Sequence, residues 1–301
     1  MILCSDRRKC PHLSDLQMVN AESIKQFEGN EAIEALVCSR AVAQVAQQMN
    51  LPSLKMIQLF SAGFDGINPK LLQSKGIHLC NAANVYNTGM AEFVVYAMLM
   101  RAKRYHKSLS NHMLRPFRNY HYITELAGKT VGVLGAGNIG GQIAKRLEAF
   151  EMHVLGYDIK TDDRPHFEKI YNAEGLLEFL GRCDYIVNCI PFFKSTEGML
   201  NRAWFERMKP DVTIVNVGRK KIINDHDFIA FLKTHKDATA ILDMFEKIPN
   251  PITNPYRRLS NVLVLPGVTA ISQEINTKLE NLILENVRRI KNGEPLINQI
   301  V

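Results

Sequence analysis

Two parallel-sheet α/β domains are what this sequence predicts, on three observations. Short apolar runs alternate with helical stretches along the chain, as βα units do. One unit, TVGVLGAGNIGGQIAKRLEAFEMHVLGYD at 130–158, carries glycines at the spacing of a dinucleotide-binding turn. The length of 301 residues, with 46% hydrophobic and 22% charged, provides for two cores of about 150 residues each and excludes disordered and fibrous classes.

The first domain reads from its strands. Ala35–Cys38, Met56–Phe60 and Ile77–Cys80 are apolar runs, with a helix ending near Asn50 after the first. Between the second and third lies Ser61–Gly66, a glycine-rich loop at the C-terminal end of a strand, where open α/β sheets bind ligands. The same loop also reads as a plain turn before the next helix. Thr88–Arg104 is apolar almost all round and predicts a buried crossover helix. Its longest apolar run, Phe93–Met100, falls far short of the roughly 20 residues a bilayer span needs, so no membrane partner is expected. From Ser108 to Leu126 periodicity is lost, which predicts a loop or arm.

The dinucleotide unit follows. Gly135 permits the tight turn off the strand Val131–Leu134, Gly137 lets the backbone approach a pyrophosphate, and Gly140 lets helix and strand pack closely. Unpaired N–H groups and the positive end of the helix dipole then favour an anion without a basic side chain. Ile143, Leu147 and Phe150 mark the buried helix face. Asp158 ends the second strand, His153–Tyr157, where a carboxylate accepts hydrogen bonds from an adenosine ribose. It repels a 2'-phosphate, which favours NAD over NADP; Lys160 lies nearby.

Beyond it the sequence predicts a helix over Ala173–Leu180 and strands at Tyr185–Ile190, Thr213–Val217, Thr239–Leu242 and Val262–Leu265, giving six or so in a doubly wound sheet. Ile275, Leu279, Leu282, Ile283, Val287 and Ile290 form one face of a final helix, with Gly293 and Pro295 as its stop signals.

Bulk properties bound the partners. The formal charge of +7 assists anionic ligands without implying nucleic acid, and the basic run Arg101–Lys107 reads as a solvated helix end. Met1–Cys4 is followed at once by Asp6, Arg7, Arg8 and Lys9, with no apolar signal core, so a cytoplasmic location is expected. Six cysteines without a CxxC pair read as reduced thiols at the surface or in strands. Cys4, Cys10 and His12 match no zinc spacing, and no metal is expected.

Taken together these landmarks resemble the D-isomer-specific 2-hydroxyacid dehydrogenase family over nearly the whole chain from about Ala35 to Val301. The match includes Ser61–Asp65, Val85-Tyr86-Asn87 with Ala91-Glu92, Leu126–Thr130, Pro191 with Thr196, Met208-Lys209, Asn216–Arg219 and Leu242–Phe245. The resemblance implies two Rossmann-like/flavodoxin-like domains with a cleft between them: a discontinuous substrate domain, 1–98 plus 273–301, and an NAD-binding domain, 99–272. It implies hydride transfer between NAD(H) and a small 2-hydroxy or 2-oxo acid, and a homodimer with Ser108–Leu126 as a candidate contact.

Residue by residue, the resemblance gives Arg219 the task of gripping the substrate carboxylate and polarising its carbonyl. A planar guanidinium suits two-point binding of a carboxylate and stabilises oxyanion charge. Ala62, Gly63 and Phe64 would offer backbone N–H groups to the same acid, and Tyr86 matches a substrate-contacting position. Cofactor contacts fall on Gly135, Gly137, Asn138, Ile139, Gly140, Asp158, Pro191, Thr196, Val217 and Asp243. Two family residues are replaced: the acid histidine by Gly267 and its orienting glutamate by Ile248, with Glu246 two residues away. The nine histidines end at His235, so realignment does not restore the acid. General acid catalysis commonly contributes about 10² to 10⁴ in rate, so the active site is atypical. Tyr86, a bound water or a substrate that needs no protein acid would replace it. Lys220 and Lys221 follow Arg219 and read as solvated. The alternative is a catalytically degenerate NAD(H)-binding sensor or interaction protein.

Overall fold

The structure, a computed structural model, describes residues 1–14, 16–104, 123–243, 253–265 and 267–301. Most of the expected arm at 108–126 lies outside the described residues, as do Met244, Phe245, Glu246 and Ile248. The described chain forms two compact units, Met1–Tyr86 with Ile271–Val301, and Asn87–Ala270.

The first unit is built on a five-stranded parallel sheet: β1 (Ile2–Cys4), β2 (Leu16–Met18), β3 (Ala35–Cys38), β4 (Met56–Leu59) and β5 (His78–Cys80), in the order β2-β1-β3-β4-β5. β3 and β4 are buried at every position. Strands covered on both faces require continuous apolar runs, so these two were readable. Helix α1 is Arg40–Ala46 and α2 is Pro69–Ser74. Asn68 caps α2 by accepting from the Leu71 N–H, and Pro69 occupies its first turn.

The C-terminal helix, Gln273–Asn292, ends at Gly293, whose φ of 69° and N–H bond to the Arg289 carbonyl make a left-handed cap. Its face Ile275, Leu279, Ile283 and Val287 packs with Ile2, Val37 and Met56. Asn286, fully buried, donates to Gln58 Oε1 at 2.7 Å and so pins this helix to β4.

The second unit holds seven parallel strands: β6 (Thr130–Leu134), β7 (His153–Tyr157), β8 (Lys169–Tyr171), β9 (Tyr185–Asn188), β10 (Thr213–Asn216), β11 (Thr239–Leu242) and β12 (Val262–Val264). Their order, β12-β11-β10-β9-β6-β7-β8, reverses direction of growth between β6 and β9, which is where such sheets bind ligands. The helices are α3 (Asn87–Ala102), α4 (Asn138–Glu148), α5 (Leu176–Arg182), α6 (Arg202–Phe205) and α7 (Asp225–Thr234). Helix α3 packs along α4, so it goes with the second unit, and the division falls at Tyr86/Asn87 where the sequence expectation had 98/99. Ile143 and Leu147 are fully buried. Phe150 lies past the end of α4 and is 37% exposed, so the apolar helix face stops one turn earlier than expected.

Candidate cofactor and substrate site

The glycine turn between β6 and α4 is shaped by close approach. Gly135 has φ 90°, a conformation that L side chains avoid. A Cβ on Gly140 would stand 2.1 Å from the Gly135 carbonyl oxygen, so only glycine allows the helix to start this near the strand end. A Cβ on Gly137 would meet nothing within 4 Å, and Gly137 forms the N-cap of α4 without a side-chain cap. The turn therefore presents bare backbone at a helix N-terminus toward open space, which fits a pyrophosphate. Asn138 and Ile139 are the first residues of α4.

Asp158, just beyond β7, reaches back to this turn: its Oδ2 accepts from the Ala136 N–H at 2.9 Å, and its Oδ1 from the Lys160 N–H at 3.3 Å. Arg164 lies across the same carboxylate. Its Nη1 donates to Asp158 Oδ2 at 3.1 Å and to the Ala136 carbonyl at 2.8 Å. The expectation had Asp158 facing the ribose with only Lys160 near; Arg164 gave no signal because it acts across a loop with no periodicity.

The ends of β9 and β10 form a second cluster. Asn188 and Asn216 are register partners, buried, and joined by Nδ2 to Oδ1 at 2.8 Å. Asn188 Oδ1 accepts from the Ile190 N–H at 3.2 Å, and the Asn188 carbonyl accepts from Val217 and Gly218 at 3.1 and 2.8 Å. This network ties the Pro191 turn to the turn that bears Arg219, the N-cap of the short 3-10 helix Lys220–Ile222. The signal was present in the matching strand ends YIVN and TIVN. Arg219 is half-buried. Thr196 closes the Pro191 turn, its Oγ1 lying 3.2 Å from the Pro191 carbonyl and accepting from the Phe193 N–H at 2.9 Å. Lys220 is not a free surface lysine: it pairs with Asp225, and Lys221 Nζ stands 5.8 Å from the centre of the Phe192 ring. Cys189 lies beside the Gly135 carbonyl, and burial pushes its thiol up to about 12.

Asp243, at the end of β11, is 1% exposed and receives four donors: the N–H groups of Gly267, Val268 and Thr269 at 2.9, 3.0 and 2.7 Å, and the Thr269 hydroxyl. Its carboxylate organises the loop after β12. Gly267 in that loop has φ 81°, a backbone state suited to glycine.

In the first unit the loop after β4 is held by its carbonyls. Asn81 Nδ2 donates to the Ala62 carbonyl at 2.7 Å, Ser61 Oγ to the Gly63 carbonyl at 2.7 Å, and the Ile67 N–H to the Phe64 carbonyl at 3.0 Å. Asp65 is fixed by an ion pair with Arg40. The Tyr86 hydroxyl donates to the Phe60 carbonyl, and burial pushes its phenol up.

The cysteines correct the surface half of the expectation. Cys4, Cys10, Cys38, Cys80 and Cys183 are buried, all six are free thiols, and the Cys4 and Cys10 sulfurs stand 3.3 Å apart. His12 turns instead to Glu280, at 3.0 Å. No described helix is long and apolar enough to cross a membrane.

A doubly wound parallel sheet with this glycine turn, this acidic strand end and a polar switch point defines a dinucleotide-binding α/β protein. Residues 93–268 match the sequence profile of the D-isomer specific 2-hydroxyacid dehydrogenase NAD binding domain. A D-3-phosphoglycerate dehydrogenase of Archaeoglobus fulgidus is 30% identical over 94% of this chain, which spans only 54% of that relative's length. A glyoxylate reductase of Korarchaeum cryptofilum is 28% identical over 92% of this chain and 86% of its own. A crystal structure of a D-isomer specific 2-hydroxyacid dehydrogenase family protein from Klebsiella pneumoniae 342 superposes with a TM-score of 0.84 at 25% identity, covering 100% of this chain and 96% of its own. The chain belongs to the D-isomer specific 2-hydroxyacid dehydrogenase family, and its cofactor is a nicotinamide adenine dinucleotide.

Proposed function

We propose that this protein is an NAD(H)-dependent oxidoreductase of the D-2-hydroxyacid dehydrogenase type, acting on a small 2-hydroxy or 2-oxo acid through an atypical active site. The observation that carries the reading is the built switch point: the Gly135–Gly140 turn, Asp158, and the Asn188–Asn216 pair that braces the Arg219 turn. Two relatives named for reactions of small 2-oxo or 2-hydroxy acids support the substrate class. The nicotinamide ring supplies or takes the hydride when bound.

The chain's own residues do the rest. The α4 N-terminus and the bare Gly137 backbone take the pyrophosphate, and Asp158 takes the ribose. The turns at Pro191, Thr196 and Val217 border the remainder of the nucleotide. Arg219 binds the acid's carboxylate and draws charge onto its carbonyl oxygen, with the N–H groups of Ala62, Gly63 and Phe64 as second donors. Asp243 serves as a loop organiser, its lone pairs taken by Gly267–Thr269. Tyr86, its hydroxyl donating to the Phe60 carbonyl, serves in packing, and water delivers the proton to the product oxygen. The first unit is the substrate domain, the setting is cytoplasmic and the assembly a homodimer.

A second reading, an NAD(H)-binding sensor or interaction protein without this chemistry, is favoured by Gly267: the position where the resemblance expects a histidine is a left-handed glycine tied to Asp243. The deciding experiment mixes the protein with NADH and a panel of small 2-oxo acids and follows loss of the reduced-nicotinamide absorbance, with Arg219→Ala as control. Turnover absent from the control supports the enzyme. Saturable NADH binding without turnover supports the sensor.

A further inference from the structure

Arg164 occupies the ribose end of the site in an unusual way. Beyond its bonds to Asp158 and the Ala136 carbonyl, its Nη2 donates to the Lys160 carbonyl at 3.2 Å and to Asp162 Oδ1 at 3.0 Å, and its Nε to Asp162 Oδ2 at 3.3 Å. All five N–H groups are thus engaged. They divide into two sets of different exposure. The bonds to Asp158 and to the two backbone carbonyls anchor a side chain that is 20% exposed. The other two go, side-on and bidentate, to a carboxylate that is 61% exposed. That carboxylate faces water, so another anion of the same two-oxygen geometry can reach the guanidinium edge and compete for it.

We propose that Arg164 makes this site tolerant of a 2'-phosphate, so that the chain binds NADPH as well as NADH, the phosphate displacing Asp162 from the Nε and Nη2 edge of the guanidinium. The inference rests on the dinucleotide-binding reading above. Asp162 already holds the geometry: two oxygens of one anion on two parallel N–H groups is the arrangement phosphate takes on arginine. Facing a lone Asp158, a phosphate of charge about −1.5 to −2 would lose between about tenfold and a thousandfold in affinity, depending on the local dielectric. Arg164 at 3.1 Å from that carboxylate converts the opposing charge into a pair whose field falls off steeply. Asp162 and Asp163 are exposed, so water screens them, and Lys160 adds a cation on the same loop. The backbone anchors from Ala136 and Lys160 keep the guanidinium in place when its partner changes.

The test is equilibrium titration of the full chain with NADH and with NADPH, read by reduced-nicotinamide fluorescence, for wild type, Arg164→Ala and Asp162→Ala. Wild type is expected to bind both within about tenfold of each other. Arg164→Ala is expected to lose about tenfold or more for NADPH and less than about threefold for NADH. Asp162→Ala, at an exposed position that does not threaten folding, frees the guanidinium edge and is expected to tighten NADPH alone. NADH binding with rejection of NADPH by about a hundredfold or more, or variants that move both cofactors equally, overturns the inference and leaves the dinucleotide site standing. Binding of neither nucleotide overturns the dinucleotide reading and this inference with it.

Discussion

Gly140 has less freedom than any other position in the site. The Cβ of an alanine would come within 2.1 Å of the Gly135 carbonyl oxygen and 3.2 Å of Val133 Cγ1, and the first of these is backbone that cannot swing away. Relief has to come from moving the start of α4 off the strand, which shifts the N–H groups that face the pyrophosphate. Gly140→Ala is therefore expected to cost about 1–3 kcal/mol of stability and about tenfold or more in NADH affinity, read by chemical denaturation and by fluorescence titration. Asn188 offers a contrasting case. It is fully buried and joins Asn216 to the Ile190 N–H. Asn188→Leu preserves volume but removes the acceptor of the Ile190 N–H and leaves Asn216 Oδ1 with only the Gly218 N–H, so a loss of about 1–3 kcal/mol is expected from the same denaturation measurement. A smaller effect from Asn188→Leu than from a conservative apolar change in β9 would count against the network's role.

At the scale of elements, the C-terminal helix carries the most definite pH dependence. Arg288, followed by Arg289, holds the Glu285 carboxyl down to about 2, and Arg288 with Asn292 holds Glu294 down to about 2. Both carboxyls titrate near 4.5 when the chain is unfolded. A depressed folded value contributes stability that is present above the unfolded value and fades as pH falls from about 4.5 toward 2. Both carboxylates are about one-third exposed, at 34% and 37%, so water screens them and the effect is modest and weakens with salt. In Arg288→Ala the denaturation midpoint is expected to fall less steeply between pH 5 and pH 2.5 than in wild type at low salt. Equal slopes would remove this network from the acid response. The elements also show where sequence reading succeeds. β3, β7 and β11 were readable at their true bounds because each is a continuously buried or nearly buried apolar run. β1, β2 and β8, three residues apiece, were not read, and β2 has no buried position at all. The glycine turn was readable because backbone geometry dictates residue type there, and Asp158 from its spacing after that turn. Arg164 and the Asp243 clamp were not, because each depends on a loop contact that only the fold creates.

For the molecule as a whole, the residues assigned to the nucleotide are confined to one unit. Ala62, Gly63 and Phe64 belong to Met1–Tyr86 with the C-terminal helix, whereas Arg219 and every proposed cofactor contact belong to Asn87–Ala270. Each unit has its own sheet and its own buried cluster. Ligand bound at about 100 times its dissociation constant stabilises the state that binds it by about 2.7 kcal/mol, and exchange of the amides it orders slows accordingly. Hydrogen exchange with saturating NADH is therefore expected to protect the β6–α4 turn and the strand ends at Asn188 and Asn216. Adding oxamate, a carboxylate that imitates a 2-oxo acid, is expected to extend protection to Ser61–Asp65 and to the turn at Val217–Ile222. Protection by NADH that oxamate leaves unchanged in the first unit would favour the sensor, because the nucleotide site would then be intact with no acid site coupled to it.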